Sequence, residues 1–164
     1  MKIKNIGSSP ALVYPYGFFD GATTDKLGGA RFILALSSVH TFHIKLGCGL
    51  GTNMSAKLLA MWALLYFPQG LGLPSLHIFG DSSVIINWAS NKATLSSLEL
   101  DHWCDNIRHL FNCFLYLDIQ HVYRERNQRA NGLSQNALAL APGQCSFIEI
   151  YDDIIMESGD FQLF

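Results

Sequence analysis

Two aspartates stand where apolar runs end. Asp20 closes the run from Leu12 to Phe19 in Phe18-Phe19-Asp20-Gly21-Ala22, and Asp81 follows Leu76 to Phe79 in Ile78-Phe79-Gly80-Asp81-Ser82. Short apolar runs bounded by glycine and polar residues read as buried strands, and ligand sites in open α/β sheets gather at strand ends. Two carboxylates delivered there have the chemistry to share a divalent cation, a hard ion that seeks oxygen. Each also has a plain structural role on offer: Asp20 in a turn, and Asp81, with Ser82 and Ser83 after it, as the N-cap of a helix. Other chemistries are poorly represented. Cys48, Cys104, Cys113 and Cys145 lie far apart with no C-x-x-C, so they read as buried thiols rather than zinc ligands or a redox pair. His40 and His43 fall on opposite faces of a strand, His121 reads as a packed strand residue, and Trp62, Trp88 and Trp103 sit on helical patterns as core. No phosphate-cradling loop or Ser/His/Asp constellation is recognisable.

The elements that must position the two acids follow from apolar patterning. The chain has 164 residues, 49% of them apolar and 15% charged, with a formal charge of −2. That is one domain with a large core, and it excludes both a disordered chain and a strongly basic nucleic-acid coat. After a leader at 1–11, the runs Leu12 to Phe19, Ala30 to Ser38 and His40 to Leu46 suggest a three-strand meander. Thr52 reads as the N-cap of a helix reaching about Phe67, closed by Pro68 to Pro74. Leu76 to Phe79 is a strand, followed by a helix through Val84, Ile85, Ile86 and Trp88. Leu98, Trp103, Ile107, Leu110, Phe111 and Phe114 recur at helical spacing. Phe114 to Val122 reads as a strand, Arg124 to Gln128 as a polar loop, and Arg129 to Leu140 as a last helix. The expected order is β-β-β-α-β-α-α-β-α, an α/β fold with a five-stranded mixed sheet and helices packed on it, over 12–141. Residues 142–164 read as an acidic C-terminal tail without a single basic residue.

Residues 58–80 carry no formal charge, but the ten apolar residues from Leu58 reach only about 15 Å as a helix, half a bilayer core. No membrane partner is expected. No apolar stretch of signal-peptide length follows Met1, so the expected location is intracellular, nucleus or cytoplasm.

Four segments, in this order, resemble the ribonuclease H-like domain of plant reverse-transcriptase-like proteins, as found at the C-terminus of non-LTR retrotransposon polyproteins. They are Gly17-Phe18-Phe19-Asp20-Gly21-Ala22, Gly51-Thr52-Asn53-Met54-Ser55-Ala56-Lys57, Gly80-Asp81-Ser82, and the stretch from His121-Val122-Tyr123 through Arg124-Glu125-Arg126-Asn127-Gln128-Arg129-Ala130-Asn131 to Gly132-Leu133-Ser134. The resemblance implies a ribonuclease H-like fold and, as family activity, cleavage of the RNA strand of an RNA–DNA hybrid by two Mg2+ ions held among four acids. Those four map onto Asp20, Lys57, Asp81 and Asn131, so a lysine replaces Glu and an asparagine replaces Asp. Two carboxylates and one ammonium leave a net charge of −1 where four acids would carry −4. Asp20, Asp81 and Asn131 can still offer oxygen to a metal, but an ammonium has no acceptor at all. The expectation is a nucleic-acid-binding domain with impaired catalysis, in which the Lys57 ammonium stands in the space of an ion and pairs with both aspartates. Mg2+ is expected to bind weakly or not at all.

The resemblance also implies hybrid contacts by Thr52, Asn53 and Ser82, with phosphate contacts by Arg124, Arg126 and Arg129. Two alternatives remain: a working hybrid ribonuclease that recruits Glu125, Asp101 or Asp105 as a replacement acid, and a protein-interaction module that uses the acidic tail.

Overall fold

The computed structural model describes residues 2–5, 13–95, 98–127 and 140–164. Its strands are β1 (Lys2–Asn5), β2 (Tyr16–Thr24), β3 (Leu27–Ala35), β4 (His40–Leu50), β5 (Ser75–Gly80), β6 (Tyr116–His121), β7 (Gln144–Tyr151) and β8 (Ile154–Gln162); its helices are α1 (Asn53–Gly70), α2 (Ser83–Ala89) and α3 (Leu98–Phe111). Among the described residues the strands form one sheet in the order β1-β6-β5-β2-β3-β4-β7-β8. From β1 to β2 the neighbours run parallel, and from β2 to β8 they run antiparallel.

The α/β class and mixed sheet are as expected; the strand count is not. Eight strands replace five because β1 pairs with β6 inside the presumed leader and because residues after Pro142 form a hairpin on β4 rather than a loose tail. Acidity masked a strand pattern: Cys145 and Phe147 alternate with Ser146 and Ile148, and Asp152 and Asp153 form a two-residue turn with φ of 51° and 62°. Paired positive φ values match the right-handed twist of the flanking strands, and aspartate tolerates them. Asp25 and Lys26 join β2 to β3 in the same way. The helix expected over Arg129 to Leu140 lies outside the described residues.

Helix α1 is the centre of the core, with Leu58, Met61, Leu64 and Leu65 fully buried against the sheet and α3. It runs through Pro68 to Gly70 rather than stopping at the proline. Proline disrupts a helix interior by losing an N–H and crowding the preceding turn, but here the last turn is closed by the Leu71 amide on Phe67 and Pro68 carbonyls, and the chain leaves at Gly72, φ 76°. Helix α3 has Glu99 and Asp101 in its first turn and Arg108 and His109 in its last, the charge order its dipole favours. Arg108 also lies over the ring of buried Trp88, 4.6 Å from its centroid. All four cysteines are free. Burial pushes the thiols of Cys48 and Cys145, at the β4–β7 seam, up to about 12. No described helix is long and apolar enough to cross a membrane.

Candidate active site

The parallel pairing of β2 with β5 sets Phe18 beside Phe79. Two residues further along each chain stand Asp20 and Asp81; Asp81 follows the end of β5, whereas Asp20 lies inside β2 opposite Arg31, not at a strand end or in a turn as expected, because β2 continues to Thr24 in its pairing with β3. Asp81 does not cap α2. The cap is Ser82, whose Oγ accepts from the Ile85 amide at 3.4 Å, and this leaves the Asp81 carboxylate for the site.

The third member arrives on α1, and a glycine lets it in. A Cβ on Gly21 would lie 2.3 Å from the Ala56 carbonyl carbon and 2.6 Å from the Lys57 nitrogen, so only glycine permits helix and strand to approach this closely. Lys57 Nζ then donates to Asp20 Oδ1 at 2.6 Å and lies 3.7 Å from Asp81 Oδ1. The Asp20 and Asp81 side chains are 5% and 6% exposed and that of Lys57 17%, so the ion pairs are weakly screened. Burial holds the Asp20 carboxyl above the usual carboxylate range and the Asp81 charge adds to this; the hydrogen bond and charge of Lys57 pull it back.

The loop after β6 closes the rim. His121 Nε2 lies 3.2 Å from the Asp81 carbonyl oxygen, and Arg124, 76% exposed, holds Nε 3.9 Å from Asp81 Oδ2. Arg124 to Arg126 form a 3-10 turn that ends on Asn127. Buried Asn127 donates through Nδ2 to the Phe19 carbonyl at 3.0 Å, while its amide donates to the Arg124 carbonyl at 2.9 Å. It thereby ties the arginine-bearing turn to the strand residue before Asp20. Its side chain is shorter than those of the arginines around it, and its role has no signature in sequence beyond its place in the last motif. Arg31, fully buried and directly across the β2–β3 pair from Asp20, is a second residue that patterning within an apolar strand conceals.

Of the other expected contacts, Thr52 and Asn53 are exposed, but their acceptor oxygens are engaged. Thr52 and Ser55 form a capping box, and Asn53 Oδ1 accepts from the Thr23 amide and hydroxyl at 2.9 and 2.8 Å. Arg129 and Asn131, and the side chain of Arg126, lie outside what is described.

A divalent ion does not fit the described residues. Asp81 Oδ2 is buried without a hydrogen bond, the sort of acceptor a cation would take. The position between the carboxylates, however, is reached by an ammonium, which is charged and has no lone pair. Among the described residues no group of three or more His, Cys, Asp or Glu side chains is placed to hold a metal. Glu125, Asp101 and Asp105 are exposed, and none joins the pair.

The sheet order and helix placement define a ribonuclease H-like fold. The RNase H1 of the halophilic archaeon Halobacterium salinarum superposes with a TM-score of 0.69 at 24% identity, covering 76% of this chain and 96% of that one. LC11-RNase H1, solved in complex with an RNA/DNA hybrid, gives 0.68 at 20% identity, covering 75% and 95%. The N-terminal RNase H domain of a Mycobacterium tuberculosis protein gives 0.67 at 19%, covering 76% and 94%. The chain belongs to the reverse transcriptase-like family, whose pattern it matches over residues 18–137. No curated protein matches it.

Proposed function

We propose that this domain, of plant retroelement descent, binds an RNA–DNA hybrid in an intracellular compartment, nucleus or cytoplasm, without cleaving it. The reading is carried by the Lys57 ammonium at 2.6 Å from Asp20 and 3.7 Å from Asp81. Paired with both aspartates, this ammonium leaves no net positive charge to draw backbone phosphate, and it cannot generate hydroxide from water or stabilise a leaving oxygen as a Lewis acid. Arg124, exposed beside the pair, is proposed as a phosphate contact, with Arg126 and Arg129 proposed on sequence alone. Thr52, Asn53 and Ser82 fix the loops that meet the hybrid, through capping and the Thr23 bond rather than through free side-chain acceptors.

The test is hybrid binding by fluorescence anisotropy in Mg2+ and in EDTA, with a gel assay for cleavage. Affinity should be the same in both buffers, fall with salt, and drop severalfold in Arg124→Ala, the order expected for one lost phosphate contact. No product should appear with Mg2+ or Mn2+. Metal-dependent cleavage abolished by Asp81→Asn would overturn the proposal in favour of a working nuclease.

A further inference from the structure

The sheet ends at β8, whose outer side pairs with no described strand. The Leu163 amide donates to the Gly143 carbonyl across the β7–β8 seam at 2.8 Å. By the alternation of an antiparallel ladder, the amides of Gly159 and Phe161 also face β7, whereas those of Ser158, Asp160 and Gln162 face outward. The register shift near Glu149 and Ile150 leaves Met156 as an extra residue, so the six residues from Glu157 to Gln162 make the straight part of the edge. Ile154, Ile155 and Met156 at its tip are 61–64% exposed. Residues 142–164 hold Glu149, Asp152, Asp153, Glu157 and Asp160 and no lysine or arginine. Glu149 is bound to His40 at 2.6 Å, and the other four acids are exposed.

We propose that β8 is a docking edge for an extended, lysine- or arginine-bearing segment of a partner protein, which adds to the sheet as a further strand. Backbone bonds to the outward amides supply affinity, and basic side chains beside Glu157 on one face of the sheet or Asp160 on the other supply selectivity. A second copy of this chain does not match, because its own β8 brings the same acids and no lysine or arginine to the edge. Charges and a bulge often guard an edge against pairing, but a guarded edge does not carry three successive exposed aliphatic residues.

The experiment uses the full chain and a fluorescent ten-residue peptide of alternating Lys and Val, with a Glu–Val peptide as the charge control. The Lys–Val peptide should bind and the Glu–Val peptide should not. Ser158→Pro, which blocks an outward amide without touching the β7 ladder, should weaken binding by about tenfold. Asp160→Pro serves the same purpose if Ser158→Pro does not fold. Glu157→Gln with Asp160→Asn should weaken binding and flatten its salt dependence. No binding, equal binding by the proline variants, or a dimer in sedimentation equilibrium that they dissolve would each overturn the proposal.

Discussion

Two buried aspartates sit two strands apart on this sheet and are kept in different ways. Asp20 is paired with Lys57 at 2.6 Å. Asp118, on β6, accepts at Oδ2 from the Tyr116 hydroxyl at 3.0 Å and lies 3.2 Å from His77 Nδ1, leaving Oδ1 buried without a hydrogen bond. The Tyr116 phenol is pushed up by that hydrogen bond. Among the described side chains, the partners of Asp118 are a phenol and an imidazole. The ammonium at Asp20 offsets chiefly the burial of that carboxyl and, to a smaller degree, its repulsion by Asp81.

The largest change should come from converting Lys57→Glu and Asn131→Asp together. If the two acids are what catalysis lacks, the double variant should cleave a hybrid with Mg2+ at least about a hundredfold faster than the parent, since a charged group at a reacting centre is commonly worth ~3 kcal/mol. A silent variant whose fold is intact by circular dichroism would break the contrast, because the cation would then not be what stops the chemistry.

Next in size, Lys57→Met should destabilise the fold by about 2–3 kcal/mol at pH 7, the cost of leaving buried acids unpaired at a site with some solvent access. The effect depends on pH. Asp20 already binds its proton more tightly folded than unfolded, so its contribution is greatest below the ordinary value of 3.8 and is lost as pH rises through the elevated one. Removing Lys57 takes away the lowering influences and enlarges that loss, so urea denaturation should find a smaller deficit at pH 4 than at pH 7.

The smallest effect belongs to the other aspartate. His77→Phe keeps the ring contact with Tyr116 but removes the partner at 3.2 Å, and should cost about 1 kcal/mol by the same measurement. A cost equal to that of Lys57→Met would erase the distinction between the two sites.

Asp81 and the start of α1 were legible locally, from Gly80 after an apolar run and Thr52 before the helix, whereas the place of Lys57 beside the aspartates came from the resemblance alone and Asp20 lies inside β2 rather than at the strand end its motif suggested. Ser82 rather than Asp81 as cap was not legible, since both residues accept the same hydrogen bond and only the strand register decides which is free. The C-terminal hairpin was hidden by its charge, as its apolar alternation is confined to one face of an edge. Asn127 and Arg31 were missed for a related reason: a polar side chain buried through contacts distant in sequence leaves no periodic trace.

The thiols of Cys48 and Cys145 carry a practical consequence. With both held up to about 12 at the β4–β7 seam, almost no thiolate is present near neutrality, and alkylating reagents find little to attack there. Cys113 is exposed and open to labelling in the folded protein. Cys145 becomes reachable when the hairpin peels from its neighbour, so the chain contains its own chemical clock for the opening of that seam.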